Sequence, residues 1–511
     1  MTSPNLPLFT VDVLDTLENR DGPGPIYSVL SVSVTTELDR TPEATIAVPA
    51  NDQRAVDLLS STKKLQIRTR SGYSQKFIVS ELNLSSQGNM PVYQASCLGM
   101  MDELRQHPTF PSTVYDDADL KTEIIGQNAT ECTLLRHTGW NRGDVEDYGN
   151  TTLSLENQSV LTALLALAEQ TGRHIRQGDT ERTLDFGLFG DDSQVRITNV
   201  HHVLSDQWAN PRLLSGIPLT PGEVLIAYIS EAAVADIGSD IENGIVPIGK
   251  DNFTLEDAPS SCDIRVAHNF RTPKGFATTT DDATSGADIP CTDTTGFIVG
   301  ENIWIGTCAD WSQDHEVGEI QSISAGVSIT LTSSLANTYA AGVDVIQQPI
   351  YYIQDSASIA SHGYKTRVWP AAWIGPVDPS DAADREEAAY VLYMAAQARL
   401  ERYKDPYQRY IFPVVLGFPT DVRVGDTVNV VYKGVVAPYS TSYPAGLVTI
   451  RGVNLYVEIE GDYYLTRATH TWEASGRQYS EIEVANIDRP TPANEDIILY
   501  NLDTLRWIFP G

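Results

Sequence analysis

The stretch Ile26-Tyr-Ser-Val-Leu-Ser-Val-Ser-Val-Thr35 alternates apolar and small polar residues. Side chains along a β-strand point to opposite faces in turn, so this period of two predicts a strand with one buried face. Two similar runs follow, Leu65-Gln-Ile-Arg-Thr-Arg70 and Lys76-Phe-Ile-Val-Ser-Glu-Leu-Asn-Leu84, and turn residues such as Ser71-Gly72 separate them. Short alternating runs between turns are typical of an antiparallel barrel or sandwich.

The same layout returns near the end of the chain, between Tyr410 and Asn486. In the first region a strand at 64–68 is followed by a strand that starts at Phe77 and another that starts at Val92. In the last region a strand at 425–430 is followed by strands that start at Tyr464 and Glu481. Sequence identity between the regions is negligible, so only the order of elements repeats. This repeat predicts two copies of one barrel in each chain.

Two stretches have helical rather than strand periodicity. Residues 158–172 carry Val160, Leu161, Leu164 and Leu165 at helical spacing and end in Gly172, which predicts a core-facing helix. Residues 379–404 begin with acids, end with Arg399, Arg402 and Lys404, and stop before Pro406. This charge order favours a helix that Ser380 or Asp381 caps.

Residues 276–349 differ in composition from the rest of the chain. They contain ten Asp and Glu residues but no Lys or Arg, and they are rich in Thr, Ser, Ala and Gly. Short strand-like pieces run through them, among them Ile303-Trp-Ile305 and Val327-Ser-Ile-Thr-Leu331. We interpret this segment as a small all-β domain inserted into a host domain, because the chain on both sides is less biased.

Net charge limits the classes of partner. The 511 residues, enough for three or four domains, include 35 Lys and Arg against 67 Asp and Glu, a formal charge of −32 at pH 7. Nucleic-acid affinity rests on Lys and Arg that neutralise phosphates, so this balance argues against a nucleic-acid binder. An acidic surface would instead let DNA pass without adhering.

The sequence predicts neither a secretory leader nor a membrane-spanning segment. Residues 1–14 lack a basic start and an apolar centre, and no apolar run approaches the about 18 residues that a spanning helix needs. The five cysteines are listed as Cys97, Cys132, Cys262, Cys291 and Cys308. They form no Cys-x-x-Cys pair and are expected to be buried thiols, with a Cys291–Cys308 disulfide as the alternative.

Catalytic motifs are incomplete. Gly244-Ile-Val-Pro-Ile-Gly-Lys250 begins like a phosphate-binding loop, but Asp251 stands where the magnesium-binding hydroxyl belongs. Asp314-His-Glu-Val-Gly-Glu319 lacks the second histidine of a zinc-protease helix. His174 and His201-His202 are not spaced with other ligands. The sequence therefore predicts no enzyme, no metal site and no cofactor.

The segment Asp355-Ser-Ala-Ser-Ile-Ala-Ser-His-Gly363 resembles a segment of phage tail-tip and baseplate hub proteins, a family shared with contractile injection systems. The order that follows it is also similar: an Ala-rich helix, Pro413-Val-Val-Leu416, Val424-Gly-Asp-Thr-Val428 and the strand from Tyr463. In the first half, the helix from Ser159 followed by Leu184-Asp-Phe-Gly187 looks like the same family. The resemblance covers most of the chain except residues 276–349.

This resemblance implies a homotrimer in which two similar barrels per chain form a pseudo-sixfold ring. Such a ring joins a hexameric tail, or its tube protein, to the tip or fibre proteins and lets DNA pass. The implied location is the distal tail of a virion, assembled in the host cytoplasm. Insertions in such hubs face outward, and Trp304 and Trp311 would be the residues for stacking on host glycan. The alternative is that either Trp belongs to a small-domain core.

We therefore expect a mainly β, α+β chain in five segments. These are a hub barrel at 1–105, an α+β hub domain at 106–275, the inserted domain at 276–349, a strand and helix returning to the hub domain at 350–405, and a second barrel with a tail at 406–511. The expected function is a structural hub that attaches to the host and serves genome ejection. The alternatives are a tail-associated hydrolase of host envelope polysaccharide and a carbohydrate-binding protein.

Overall fold

The computed structural model describes most of the chain. The described ranges are 8–15, 18–20, 25–59, 64–70, 72–87, 90–109, 113–130, 132–155, 158–198, 224–226, 233–236, 241–267, 275–281, 284–306, 315–347, 349–414, 418–438 and 455–486. Strands dominate throughout, so the prediction of a mainly β, α+β fold is confirmed.

The N-terminal elements are six strands and two short helices. They are β1 (Phe9–Leu14), β2 (Ser31–Glu37), β3 (Glu43–Pro49), α1 (Gln53–Leu59), β4 (Lys64–Thr69), β5 (Ser74–Gln87), β6 (Met90–Gly99) and α2 (Glu103–Gln106). The strands pair in the order β1-β4-β5-β6-β3-β2, which we name the N-terminal sheet. Its alternation places Val32 and Val34 of β2 and Leu65 and Ile67 of β4 in one apolar core.

The next elements alternate between strands and one longer helix. They are β7 (Thr113–Asp119), β8 (Asn141–Val145), β9 (Asn150–Leu155), α3 (Val160–Thr171), β10 (His174–Gln177), β11 (Thr183–Gly187), β12 (Asp192–Thr198), β13 (Val224–Ile226), β14 (Ala233–Asp236), β15 (Gly244–Gly249) and β16 (Arg265–Ala267). Ser159 caps α3 by accepting the Thr162 N–H, as residues with side-chain oxygens do at helix starts.

Six strands then form a sheet of their own, which we name the insert. They are β17 (Phe276–Thr278), β18 (Thr284–Pro290), β19 (Asn302–Gly306), β20 (Glu316–Ser324), β21 (Ser328–Tyr339) and β22 (Asp344–Gln347). The order is β17-β22-β19-β20-β21-β18, and a bridge between Thr279 and Cys291 joins the two ends. The chain enters and leaves side by side, because the Gln347 N–H donates to the Gly275 carbonyl at 2.9 Å.

The last elements include the longest helix and the longest strand. They are β23 (Ile350–Gln354), α4 (Ser356–His362), β24 (Thr366–Ala371), α5 (Ala382–Tyr403), β25 (Gln408–Val414), β26 (Thr427–Pro438), β27 (Leu455–Glu473) and β28 (Gln478–Ala485). Asp381 caps α5 by accepting the Ala383 N–H. Asp355 caps α4 in the same way, and the Ser358 hydroxyl donates to the Lys404 carbonyl at the end of α5. The segment that resembles hub proteins thus joins these two helices.

The two predicted helices pack against each other in a middle unit. This unit comprises α2–α5 and three small sheets, β7-β9, β10-β11-β8 and β16-β23-β15-β24. Gly172 ends α3 with φ of +68°, and a Cβ there would lie 2.9 Å from Ala398 Cβ of α5. Glycine is required both for the left-handed conformation and for the close approach of the helices.

A C-terminal sheet combines strands from distant parts of the chain. β26 pairs with β27, β27 with β28, β28 with β25, β25 with β14, and β14 with β26, so these five strands form a closed circuit. β12 adds to β26 in parallel. The sequence predicts one α+β domain at 106–275, but in the structure β12–β14 pair with strands of the C-terminal sheet. Alternation shows which face of a strand is buried and not which strand it pairs with.

The repeated element order appears as a repeated pairing. β5 lies between β4 and β6, and β27 lies between β26 and β28, all antiparallel. The two sheets also join directly, because β2 pairs with β27 from Ser31 opposite Glu473 to Glu37 opposite Arg467. Across this pair Ser33 hydrogen-bonds Thr471 at 3.1 Å and Thr35 hydrogen-bonds Thr469 at 3.0 Å.

β27 contributes side chains to both apolar cores. Leu465 and Ala468 pack in the core of the C-terminal sheet, whereas Trp472 packs in that of the N-terminal sheet. Trp472 is 1% exposed, and its ring centroid lies 5.7 Å from those of Tyr73 and His470.

We predict that Trp472→Ala lowers the free energy of unfolding by about 3–5 kcal/mol, because it leaves a large cavity where the sheets join. Chemical denaturation measures the loss. Tyr479→Ala on neighbouring β28 is the control, since that side chain is 43% exposed and its loss should change the free energy by less than about 0.5 kcal/mol. Equal effects of the two substitutions would contradict the burial described for Trp472.

Candidate functional site

A cleft opens where the N-terminal sheet, the middle unit and the C-terminal sheet meet. Its volume is about 770 Å³, and residues from all three units line it. The charged lining residues are Glu37, Arg40, Lys76, Arg176, Asp179, Glu181, Asp421 and Arg423. Three charge clusters connect these units, and a further one around Arg399 lies inside the middle unit.

The first cluster is a hydrogen-bonded chain through His174, which is 1% exposed. Arg402 Nη2 lies 3.1 Å from His174 Nε2, and His174 Nδ1 lies 2.6 Å from Asp39 Oδ2. A guanidinium can only donate, so Nε2 accepts and Nδ1 carries the proton that it donates to Asp39. This neutral imidazole links the β2–β3 turn to β10 and to the end of α5.

The second cluster surrounds Arg399, which the sequence analysis had assigned to the basic end of α5. Arg399 is 3% exposed. It donates to Glu242 at 2.8 and 2.9 Å and to Glu169 at 2.8 Å. Glu169 also accepts the Trp369 indole N–H, and Arg367 donates to Glu242 at 2.7 Å. Burial would lower the pKa of Arg399, but the charges of Glu242 and Glu169 outweigh burial and raise it.

The third cluster fastens the middle unit to the C-terminal sheet. Arg176 of β10 donates to Asp426 at 2.7 Å and to the Val424 carbonyl at 2.9 Å. Arg423 donates to Asp185 of β11 at 2.6 Å. Both arginines therefore connect the β10–β11 hairpin with the turn that precedes β26.

The fourth cluster fastens the middle unit to the N-terminal sheet. Glu18 accepts from Lys64 at 2.9 Å, from Lys76 at 2.6 Å and from Arg182, and Arg182 also donates to Glu103 at 2.9 Å. Burial would raise the pKa of Glu18, but the hydrogen bonds from Lys64 and Lys76 and the charge of Arg182 outweigh it and lower the pKa to about 2.

The one histidine in the cleft lining is a buried, uncharged group. His470 Nδ1 lies 3.1 Å from the Ser480 hydroxyl, and burial lowers the pKa of His470 to about 4. In the part of the chain that the structure describes, no three His, Cys, Asp or Glu side chains are arranged to hold a metal ion. The charged side chains at this junction pair with one another, and that pairing fixes the three units in position.

The predicted stacking residues are not at this junction. Trp304 of β19 is 1% exposed and lies against His315 with ring centroids 6.1 Å apart. It packs in the core of the middle unit together with Ile346 and Tyr351, and its indole Nε1 has no hydrogen-bond partner among the described residues. A ring that stacks on a sugar must present a face to solvent, so Trp304 is not available for this role. Trp311 lies outside the described residues.

Trp304 instead attaches the insert to the middle unit. It borders a crevice of about 290 Å³ together with Glu256 and Tyr351 of the middle unit. Burial raises the pKa of Glu256, and the neighbouring charge of Asp257 adds to this. The opposite side of the insert sheet has its own core, which includes Ile303, Ile305 and Val345.

The incomplete motifs occupy strands. Residues Gly244–Gly249 form β15, which explains why they do not make a phosphate-binding loop. Glu316 and Glu319 lie on β20, while Asp314 is outside the described residues. Cys97, Cys262 and Cys291 are buried free thiols as expected, but Cys132 is exposed, and Cys308 lies outside the described residues.

Sequence reasoning missed the buried charge clusters. A signal did exist for Arg399, because it follows Leu392, Ala395 and Ala396 on the apolar side of α5. A cation on such a face needs a buried acid. The identity of that acid, Glu242, was not readable because it lies far away in the chain.

No family model matches the sequence, and no curated protein matches it either. Among solved structures the chain is similar to a tail protein from Neisseria meningitidis MC58, with 8% identity, a TM-score of 0.43 and coverage of 94% of this chain and 96% of that one. It is similar to the prophage tail protein gp18 from Listeria monocytogenes EGD-e, with 10% identity, a TM-score of 0.44 and coverage of 96% and 98%.

A third similar structure is the 43 kDa tail protein of prophage MuSo2 from Shewanella oneidensis, with 10% identity, a TM-score of 0.43 and coverage of 94% and 99%. All three are tail proteins, the class that the sequence motifs resemble. Among the described residues, no helix combines the length and the apolar character that crossing a bilayer requires.

We predict that Glu242→Gln lowers the free energy of unfolding by about 3 kcal/mol, because the buried charge of Arg399 then loses one of its two carboxylate partners. The double variant Glu242→Gln, Arg399→Met should lose less than the sum of the two single losses. Chemical denaturation of all three variants gives this coupling. Arg105→Ala is the control, since its side chain is 64% exposed beside Asp102; additive losses would contradict a coupled buried pair.

The Glu18 cluster predicts a pH dependence. The folded-state pKa of about 2 lies below the ordinary value of 4.5, so the unfolded chain takes up the proton first as the pH falls. The stability from Glu18 is thus present above about pH 5 and lost as the pH falls toward 2. The difference in unfolding free energy between wild type and Glu18→Gln should shrink over that range. Glu401→Gln, 67% exposed, should show no such trend.

Proposed function

We propose that this chain is a structural hub at the distal end of a viral tail. In this proposal three chains form a ring in which six β units alternate. The ring joins a hexameric tail above to a tip of threefold symmetry below, and DNA passes through it without being bound.

The observation that carries the proposal is the direct joining of two curled antiparallel sheets within one chain. β2 pairs with β27, and β27 is shared between the cores of both sheets. Two similar units per chain are what a trimer needs to present six positions. The repeated pairing of β4-β5-β6 and β26-β27-β28 supports this similarity.

An adaptor must also keep its two units at a fixed spacing. Three of the four charge clusters connect the middle unit to one of the two sheets through largely buried groups, such as Arg176 with Asp426 and His174 with Asp39. Breaking a buried pair is costly, so these contacts resist relative movement of the units. Rigid spacing suits a connector better than it suits an enzyme that closes over substrate.

The charge of −32 fits a channel for DNA. Like charge on the wall removes the attraction that Lys and Arg would supply to phosphates. The ten acids of the insert, with no Lys or Arg beside them, extend the negative charge to that part of the chain. We propose that the insert contacts a neighbouring tail protein or host glycan through residues other than the buried Trp304.

We propose a non-enzymatic role, with a hydrolase of envelope polysaccharide as the competing function. The two are separated by incubating the purified chain with host envelope polysaccharide and measuring new reducing ends at pH 5 and pH 7. A structural hub releases none above the level of heat-denatured protein. Release that Glu256→Gln abolishes would favour the hydrolase.

The structural role predicts the mass and the position of the protein. Light scattering behind size exclusion should give a mass near three times 56.0 kDa. Gold label on a tagged copy should mark one end of each tail in electron micrographs, because a hub occupies a single ring. A label spread along the tail, or absent from particles, would contradict the proposed position.

A further inference from the structure

The middle unit carries four side chains with large apolar surfaces near Tyr148, and three of them are exposed. Tyr390 and Met394 lie one turn apart on α5 and are 44% and 38% exposed, and Leu188 is 53% exposed. Tyr148, half-buried, packs against the apolar core and lies close enough to Tyr390 to interact with it electrostatically. We name Tyr148, Leu188, Tyr390 and Met394 the aromatic patch.

An ion pair makes the aromatic patch continuous. The Arg173 guanidinium lies 4.7 Å from the centroid of the Tyr148 ring and pairs with Glu146 at 2.8 Å. Glu146 in turn accepts the Leu188 N–H at 2.9 Å. Because Arg173 and Glu146 neutralise each other, the patch has no net charge at its centre.

The composition of this patch is that of a protein interface. Tyr, Arg and Met are enriched at interface centres, where charged residues are otherwise depleted. The rim is acidic, with Asp147 beside Tyr148 and Glu386 one turn before Tyr390, both exposed. The patch therefore fits an occupant whose cations reach this acidic rim.

The chain itself carries such a surface. On the outer side of the N-terminal sheet Arg20 and Arg68 are 50% and 52% exposed, and both pair with the buried carboxylate of Asp12. Arg70, also exposed, follows the end of β4. Leu65 and Ile67 alternate with them toward the core. We name Arg20, Arg68 and Arg70 the basic face.

Charge is distributed unevenly in a way that favours this pairing. Residues 1–105 contain nine Lys and Arg against 12 Asp and Glu, whereas residues 106–349 contain 12 against 35. Copies of so acidic a chain repel each other at most orientations. At a contact with the basic face, the acids of the rim would instead be attracted to arginines.

The two surfaces lie toward opposite ends of the β10–β11 hairpin. At its turn, Gln177 hydrogen-bonds Gln75 at 3.3 Å and Glu181 pairs with Lys76 at 2.5 Å, which places this end beside β5. Arg173 and Leu188 adjoin the other end, where His174 pairs with Gly187. One chain therefore has both surfaces free for different neighbours.

We propose that the aromatic patch of one copy docks on the basic face of a second copy. This contact is heterologous, since each copy uses two different surfaces, and such contacts close into rings when the rotation fits. The inference rests on the proposed trimeric hub and names one contact between neighbouring copies in it.

Two variants remove one surface each. Tyr390→Ala with Met394→Ala removes apolar contact, and Arg68→Gln with Arg70→Glu reverses charge on the basic face. Each should weaken association at least tenfold, measured by light scattering across a dilution series. Tyr364→Ala, 58% exposed, and Arg477→Glu, on the exposed turn after β27, are matched controls that should assemble like wild type. Thermal unfolding checks that all variants fold.

Mixing the two variants is the decisive measurement. Each retains the surface that the other lacks, so a heterologous contact yields a mixed pair with a mass near twice 56.0 kDa and no closed ring. If wild type is trimeric and both variants stay trimeric, or the mixture remains monomeric, the surfaces are wrong while the hub stands. A monomeric wild type would overturn both this inference and the proposed ring.

Discussion

The pairing of β2 with β27 is the contact on which the arrangement of the chain depends. Its seven residue pairs, from Ser31 opposite Glu473 to Glu37 opposite Arg467, turn two separate sheets into one continuous structure. A strand of 19 residues is long enough to pair with β26 over one half and with β28 over the other while it also pairs with β2. Loss of register at β27 would move Trp472 and Leu465 out of their cores together, because a shift of one residue reverses every side chain.

The middle unit restrains the rotation of the two sheets that the β2–β27 pairing alone would permit. A single pair of strands fixes two sheets along one line and still permits twisting about it. The contacts of Arg176 and Arg423 with the turn before β26, and of Arg182 with Glu18, lie away from that line. They give the chain three separated points of attachment, which is what prevents rotation of rigid bodies. The large number of arginines among these contacts follows from geometry, since a guanidinium donates to two partners at once.

Strands and helices were predictable wherever a local pattern decides them. Val32 and Val34 alternate because one face of β2 is buried, and Ser159 and Gly172 bound α3 through their own hydrogen-bonding and backbone preferences. Pairing partners were not predictable, because β12 and β26 are more than 200 residues apart and no local property links them. Separations of 157 and 135 residues likewise hide Glu242 from Arg399 and Asp39 from His174. The site is built almost entirely from such distant pairs, and so it was missed although most of its elements were anticipated.

The charge bias of the insert explains both why it could be recognised and how it must be attached. A segment with ten acids and no Lys or Arg cannot supply either residue for an ion pair with the acids of the middle unit. The attachment described for it is apolar. Ile346 and Trp304 lie opposite each other on β22 and β19 and both pack in the middle core. A tryptophan that serves as this anchor is withdrawn from solvent, and any recognition by the insert must use the surface that faces away from the middle unit.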